Sequence, residues 1–110
     1  MASDDEHLAD YLEKVRQTPL LTSGEERESL KRAREGDESA RKRVIEGYLE
    51  VTALLAIRLA ADWMRLLDAI QEGNLVVLRL VDDASVAVPA ARLGEALVAH
   101  FAEVALRLDR

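Results

Sequence analysis

Leu66-Leu67-Asp68-Ala69-Ile70-Gln71-Glu72-Gly73-Asn74-Leu75, continuing into Val76-Val77-Leu78-Arg79-Leu80-Val81, is the stretch that decides how the chain folds. At about 100° per residue it makes a helix with two unlike sides. Leu66, Leu67, Ile70, Asn74, Val77, Leu78 and Val81 share one arc, whereas Asp68, Gln71, Glu72, Leu75 and Arg79 share the opposite one. The first arc reads as core and the second as a face left for recognition. Gly73 interrupts the pattern. A glycine in a helix interior costs about 1 kcal/mol relative to alanine, so a packing or contact reason must offset it.

The flanking segments are helical too. Leu8, Tyr11, Leu12 and Val15 recur at helical spacing and place a first helix over about 5–16, behind an acidic leader at 1–7 that reads as disordered. Thr18-Pro19 ends it, since proline disfavours helix in the residue before it. Thr22-Ser23-Gly24-Glu25 is a capping box that opens a second helix to about residue 34. In Glu35-Gly36-Asp37, Gly36 closes that helix in the left-handed conformation and Asp37 caps the next.

The third helix is expected to be the longest, over 40–61, with Val44, Tyr48, Val51, Thr52, Leu55 and Leu59 on the 3.6-residue period. Leu49, Leu54 and Ile57 widen its stripe nearly all round, as in a central helix packed by several neighbours. Residues 61–65 form a tight link to the helix at 66–81. Asp82-Asp83-Ala84-Ser85 breaks the period, and Ser85-Val86-Ala87-Val88 alternates too briefly to count as a strand. Pro89 suits a first helical turn, and Leu93, Leu97, Phe101, Val104 and Leu108 mark a last amphipathic helix. The expected fold is all-α, a compact bundle of about five helices forming a single domain over 1–110.

Composition narrows the function. Aromatics are only 4% of the chain, so the core must come from Leu, Val, Ala and Ile. The absence of cysteine removes disulfides and thiolate metal sites. No apolar run approaches the roughly 20 residues of a membrane span, and the acidic start is unlike a signal peptide, so the expectation is a cytoplasmic protein without a membrane partner. His7 and His100 do not form a zinc-helix spacing, the glycines make no phosphate loop, and the serines lack a base. Glu25, Glu26 and Glu28 read as solvated charges at a helix start, where the dipole favours them. No enzyme activity and no cofactor is expected.

A net charge of −6 disfavours autonomous nucleic-acid binding. The weak DNA-binding candidates are Lys31, Arg32, Arg34, Arg41, Lys42 and Arg43. They are interleaved with Glu28, Glu35, Asp37, Glu38 and Glu46 at helical spacing and read better as a mutually neutralising face.

The order of motifs carries a resemblance. Tyr11-Leu12, Thr18-Pro19-Leu20-Leu21-Thr22, Glu25-Glu26, Glu35-Gly36-Asp37-Glu38-Ser39-Ala40-Arg41, Val44-Ile45-Glu46 and Leu67-Asp68-Ala69-Ile70-Gln71-Glu72-Gly73-Asn74-Leu75 together resemble bacterial RNA polymerase sigma factors of the sigma-70 family, over regions 1.2, 2.1 and 2.2. The resemblance implies a region 2-like helical fold. It also implies that the helix at 66–81, paired with that at 40–61, docks on the clamp helices of the polymerase beta-prime subunit. Asp68, Gln71, Glu72 and Asn74 are the implied contacts, with Leu78 at a position where the family often has a long apolar residue, and Leu75 and Arg79 join them as members of the outer arc. Asn74 projects near Leu67 and Ile70, which suits a partly buried hydrogen-bonding residue that shapes the helix.

Departures from the family pattern matter as much. Where the family carries a basic-aromatic segment and a promoter-melting helix, this chain has Asp82-Asp83-Ala84-Ser85-Val86 and then a run with one Phe and almost no positive charge. Unstacked bases need aromatic platforms and cations. The chain also ends before any minus-35-binding domain. The leading expectation is therefore a sigma-like regulator that binds core polymerase without melting promoter DNA. The alternatives are a partner or decoy for an anti-sigma or second sigma-like protein, a sigma fragment that retains promoter-DNA binding through the basic cluster and meets DNA only within a polymerase complex, and a homodimer formed through the last helix.

Overall fold

A computed structural model describes residues 3–60, 63–83 and 93–108 of the chain. Their helices are α1 (Asp4–Val15), α2 (Ser23–Arg34), α3 (Glu38–Gly47), α4 (Leu49–Leu59), α5 (Trp63–Asp82) and α6 (Leu93–Leu108). Local capping chemistry sets the first three starts. Ser3 accepts from the Glu6 N–H, so Asp4, Asp5 and Glu6 form a first turn of α1 rather than an unstructured leader. Thr22 and Glu25 complete the capping box reciprocally, with bonds of 3.2 and 3.0 Å. Gly36 takes φ 103°, and Asp37 accepts from the Ala40 N–H at 3.1 Å.

The expected third helix divides in two, which makes six helices among the described residues and leaves α5, with 20 residues, the longest. The division falls at Gly47 and Tyr48. Gly47 lies against the segment after α1: a Cβ there would sit 3.4 Å from the Pro19 carbonyl oxygen and 3.5 Å from the Leu20 Cα. Tyr48 has φ −91° and ψ −6°, and its N–H bonds Ile45 O three residues back, so the last turn of α3 tightens before α4 resumes. The Tyr48 side chain, meanwhile, is drawn into a buried hydrogen bond with Glu26 on α2.

α4 meets α1, α3, α5 and α6, as expected of a central helix. Its apolar stripe is nonetheless narrower in use than in sequence. Thr52, Ala53 and Ala56 are buried, whereas Leu54 and Ile57 stay exposed. α5 is the second hub and packs on α2, α3, α4 and α6. It begins at Trp63, inside the expected link at 61–65. Leu30, Val44, Tyr48, Ala53, Ala56, Leu66, Ile70, Val77, Val81, Leu97 and Phe101 form one continuous core. The brief alternation at 85–88 and the turn at Pro89 lie outside the described residues. Among the described residues, no helix is long and apolar enough to cross a membrane.

Candidate functional site

The glycine that interrupts α5 lies on its inner side. Leu66, Ile70, Gly73, Val77 and Val81 are all buried and recur at helical spacing along one line. A Cβ on Gly73 would lie 2.5 Å from Thr52 Cγ2 of α4 and 2.9 Å from Phe101 Cζ of α6. Three helices therefore meet at a point where only a hydrogen fits. That contact offsets the propensity cost of the glycine.

Packing this line inward turns the opposite line outward. Asp68, Gln71, Glu72, Leu75 and Arg79 are exposed, and Met64 continues the same side one turn earlier at 68% exposure. Leu75, at 48%, is an apolar residue held in solvent amid charges. Two members of the expected inner arc depart from it: Leu67 is exposed at the arc's edge, and Leu78 is half-buried. Asn74 is half-buried as anticipated, but its Oδ1 is buried and accepts no hydrogen bond among the described residues. Its role as a bonded shaping residue is not seen at that atom.

The outer face has relief. Asp68 and Glu72 line a cleft of about 240 Å³ together with Arg65 and the apolar Leu59, Ala60, Ala69 and Val104. Gln71 and Asn74 line a second cleft of about 380 Å³ between α5 and the α1 residues His7, Leu8 and Tyr11. Carboxylates over apolar walls suit a long cationic side chain, whose stem can lie on the walls while its head meets the acids.

The C-terminal end of α5 is fixed by two arginines. Arg34 Nη2 donates to Leu80 O at 3.0 Å, and Arg41 forms a two-pronged pair with Asp82 at 2.8 and 2.9 Å. Cations at a helix C-terminus satisfy its last carbonyls and oppose its dipole. The Arg41 hydrogen bond holds the Asp82 carboxyl below its ordinary range, outweighing a small opposing effect of burial. This redefines the basic cluster. Arg34 and Arg41 serve α5 rather than partners one turn away, and Arg32 lies 3.6 Å from Asp37. Among the ion pairs of the described residues, Lys42–Glu46 at 3.7 Å follows the expected helical spacing. Arg43 is half-buried, while Lys31 is exposed.

Sequence reading missed Glu26. It is not a solvated helix-start charge: it is 3% exposed and accepts from the Tyr48 hydroxyl and, at 3.1 Å, from the Leu93 N–H. Glu25 and Glu26 are neighbours in the first turn of α2 and differ because α3 and α5 pack on one face of that helix and leave the other in solvent. Glu25, by contrast, remains exposed, and the Thr22 N–H that it accepts holds its carboxyl below the ordinary range.

Two curated proteins resemble this chain in sequence. The RNA polymerase sigma factor SigA of Clostridium acetobutylicum is 37% identical over 78 residues, which are 71% of this chain and 21% of that protein. The RNA polymerase sigma factor SigA of a Bacillus species is 38% identical over 72 residues, 66% of this chain and 19% of that protein. This chain is a relative of the sigma-70 family. It spans about a fifth of the length of the curated relatives it matches. No family model matches the chain, and no solved structure does.

Proposed function

We propose that the chain is a sigma-like transcription regulator that docks on core RNA polymerase through the outer face of α5, against the clamp helices of the beta-prime subunit, and does not itself melt promoter DNA. The observation that carries this reading is the exposure of Asp68, Gln71, Glu72, Leu75 and Arg79 along one side of a helix whose other side is locked into the core. Polar and charged groups around one exposed leucine match the composition of a transient protein interface, with an apolar centre and a charged rim. Leu78 and Asn74 flank that strip as half-buried residues and support its shape.

The relatives bear names of RNA polymerase sigma factors, which supports core polymerase as the partner. The absence of promoter melting rests on the residues after Asp82, which offer one phenylalanine, and Phe101 is buried against Gly73. An aromatic ring committed to the core provides no platform for an unstacked base. The use of Arg34 and Arg41 on α5 likewise weakens the basic cluster as a nucleic-acid surface.

Co-purification tests the reading. Tagged chain should retain core polymerase, and a full-length sigma factor should displace it in competition. Retention of polymerase undiminished by excess sigma factor would mean a different surface. Melting of a promoter by the chain with core enzyme would remove the second half of the proposal.

A further inference from the structure

Leu93 and Gly94 begin α6, where helical N–H groups have no partners within their own helix. Here the acceptors come from other helices. Glu26 Oε2 of α2 accepts from the Leu93 N–H at 3.1 Å, and the Tyr48 hydroxyl at the end of α3 accepts from the Gly94 N–H at 3.0 Å. Tyr48 in turn donates to Glu26 Oε1, so the two side chains form one buried polar socket. One turn further on, Leu97 is fully buried. One turn beyond that, Phe101 fills the notch left by Gly73. The remaining side of α6, Glu95, Ala96, Val98, Ala99, Ala102 and Glu103, faces solvent.

We propose that α6 is a latched strap: Glu26 and Tyr48 seat its first turn, and when that socket opens the helix lifts as a unit while α2 to α5 stay folded. The physical reason lies in what each state does with Glu26. Closed, a carboxylate is held away from water and must be compensated by the bonds it accepts. Open, Glu26 and Tyr48 recover hydration, which makes release of α6 less costly than unfolding the bundle, whose other helices keep one another covered. Seating is also all-or-none, because α6 loses both acceptors for its first turn at the same time as Phe101 leaves the notch. Opening would uncover the groove between Thr52 and Gly73 and withdraw Val104 from the cleft beneath Asp68 and Glu72. The inference holds whether or not α5 docks on polymerase.

Amide hydrogen exchange on the full chain tests it. In the wild type, the amides of 97–104 should exchange at least about tenfold faster than those of 70–77, as expected of a unit that opens below the global free energy. Tyr48→Phe keeps the ring and removes the hydroxyl, and should speed exchange in 97–104 by about tenfold, the loss expected for one buried hydrogen-bonding group, while 70–77, which exchange by a global opening that loses the same bonds, speed up by no more than that and remain the slower segment. Glu26→Gln keeps an acceptor for Leu93 and should have a smaller effect on 97–104, again with 70–77 the slower segment, which serves if Tyr48→Phe does not fold. Equal protection of the two segments in the wild type would overturn the proposal. So would variants that leave 97–104 unchanged or that bring the two segments to the same exchange rate.

Discussion

On its inner side α5 carries Leu66, Ile70, Gly73, Val77 and Val81, all buried, while on its outer side Asp68, Gln71, Glu72, Leu75 and Arg79 stand in solvent. The same backbone serves both, yet the two faces are governed by different physics. The inner face is selected by volume: where Thr52 and Phe101 converge, even a methyl group is too large. The outer face is free of volume constraints and carries chemistry instead, with two carboxylates over an apolar cleft and a leucine left uncovered. The difference separates two kinds of substitution, those that cost stability and those that cost binding.

The largest expected effect lies on the inner face. Ile70→Ala should destabilise the fold by about 2–5 kcal/mol, the range for truncating a buried aliphatic residue, whereas Leu75→Ala should change stability by less than about 0.5 kcal/mol. Chemical denaturation of the two variants reads both values directly. Equal losses would erase the distinction between the faces.

Gly73→Ala sharpens the point because two effects oppose. Alanine gains about 1 kcal/mol of helix propensity, while overpacking of a full core typically costs about 1–3 kcal/mol. The 2.5 Å approach to Thr52 makes the overlap the larger of the two, so the net change should be a destabilisation of up to about 2 kcal/mol. Gly24→Ala in α2, where nothing lies within 4 Å of the new methyl, should be neutral or stabilising in the same denaturation experiment. Stabilisation by Gly73→Ala would show that the notch is not tight.

A smaller effect is expected at the end of α5. Asp82 has its carboxyl pKa lowered from the ordinary 3.8 by Arg41, so its contribution is fully present above that value and is lost as pH falls below it through the lowered one. Both side chains are partly exposed, so the contribution is modest. Thermal melts at pH 7 and pH 3 should show a slightly smaller loss for Arg41→Ala than for the wild type. An identical pH response would mean that the pair does not hold the helix end.

Much of this was legible in the residues themselves. The caps at Thr22 and Asp37 and the left-handed Gly36 are local devices, readable from neighbours in sequence and present as read. The two-sidedness of α5 was equally plain from its period, apart from the exposed Leu67 and the half-buried Leu78 at the margins of the arc. What escaped was tertiary. Gly47, at the break, packs beside Pro19 and Leu20, and the burial of Glu26 arises from Tyr48 and the start of α6, 22 and 67 residues away. Periodicity cannot see such partners. Gly47 was the one available signal for the break, a glycine inside a strongly apolar helical pattern.

The most direct test of the central claim is the affinity of purified chain for core RNA polymerase, wild type against Asp68→Ala with Glu72→Arg. Both positions are exposed, so the double variant should fold and melt like the wild type. If the outer face of α5 is the docking surface, its affinity should fall by at least about thirtyfold, the loss of a binding hot spot. Unchanged affinity in a fully folded double variant would contradict the account.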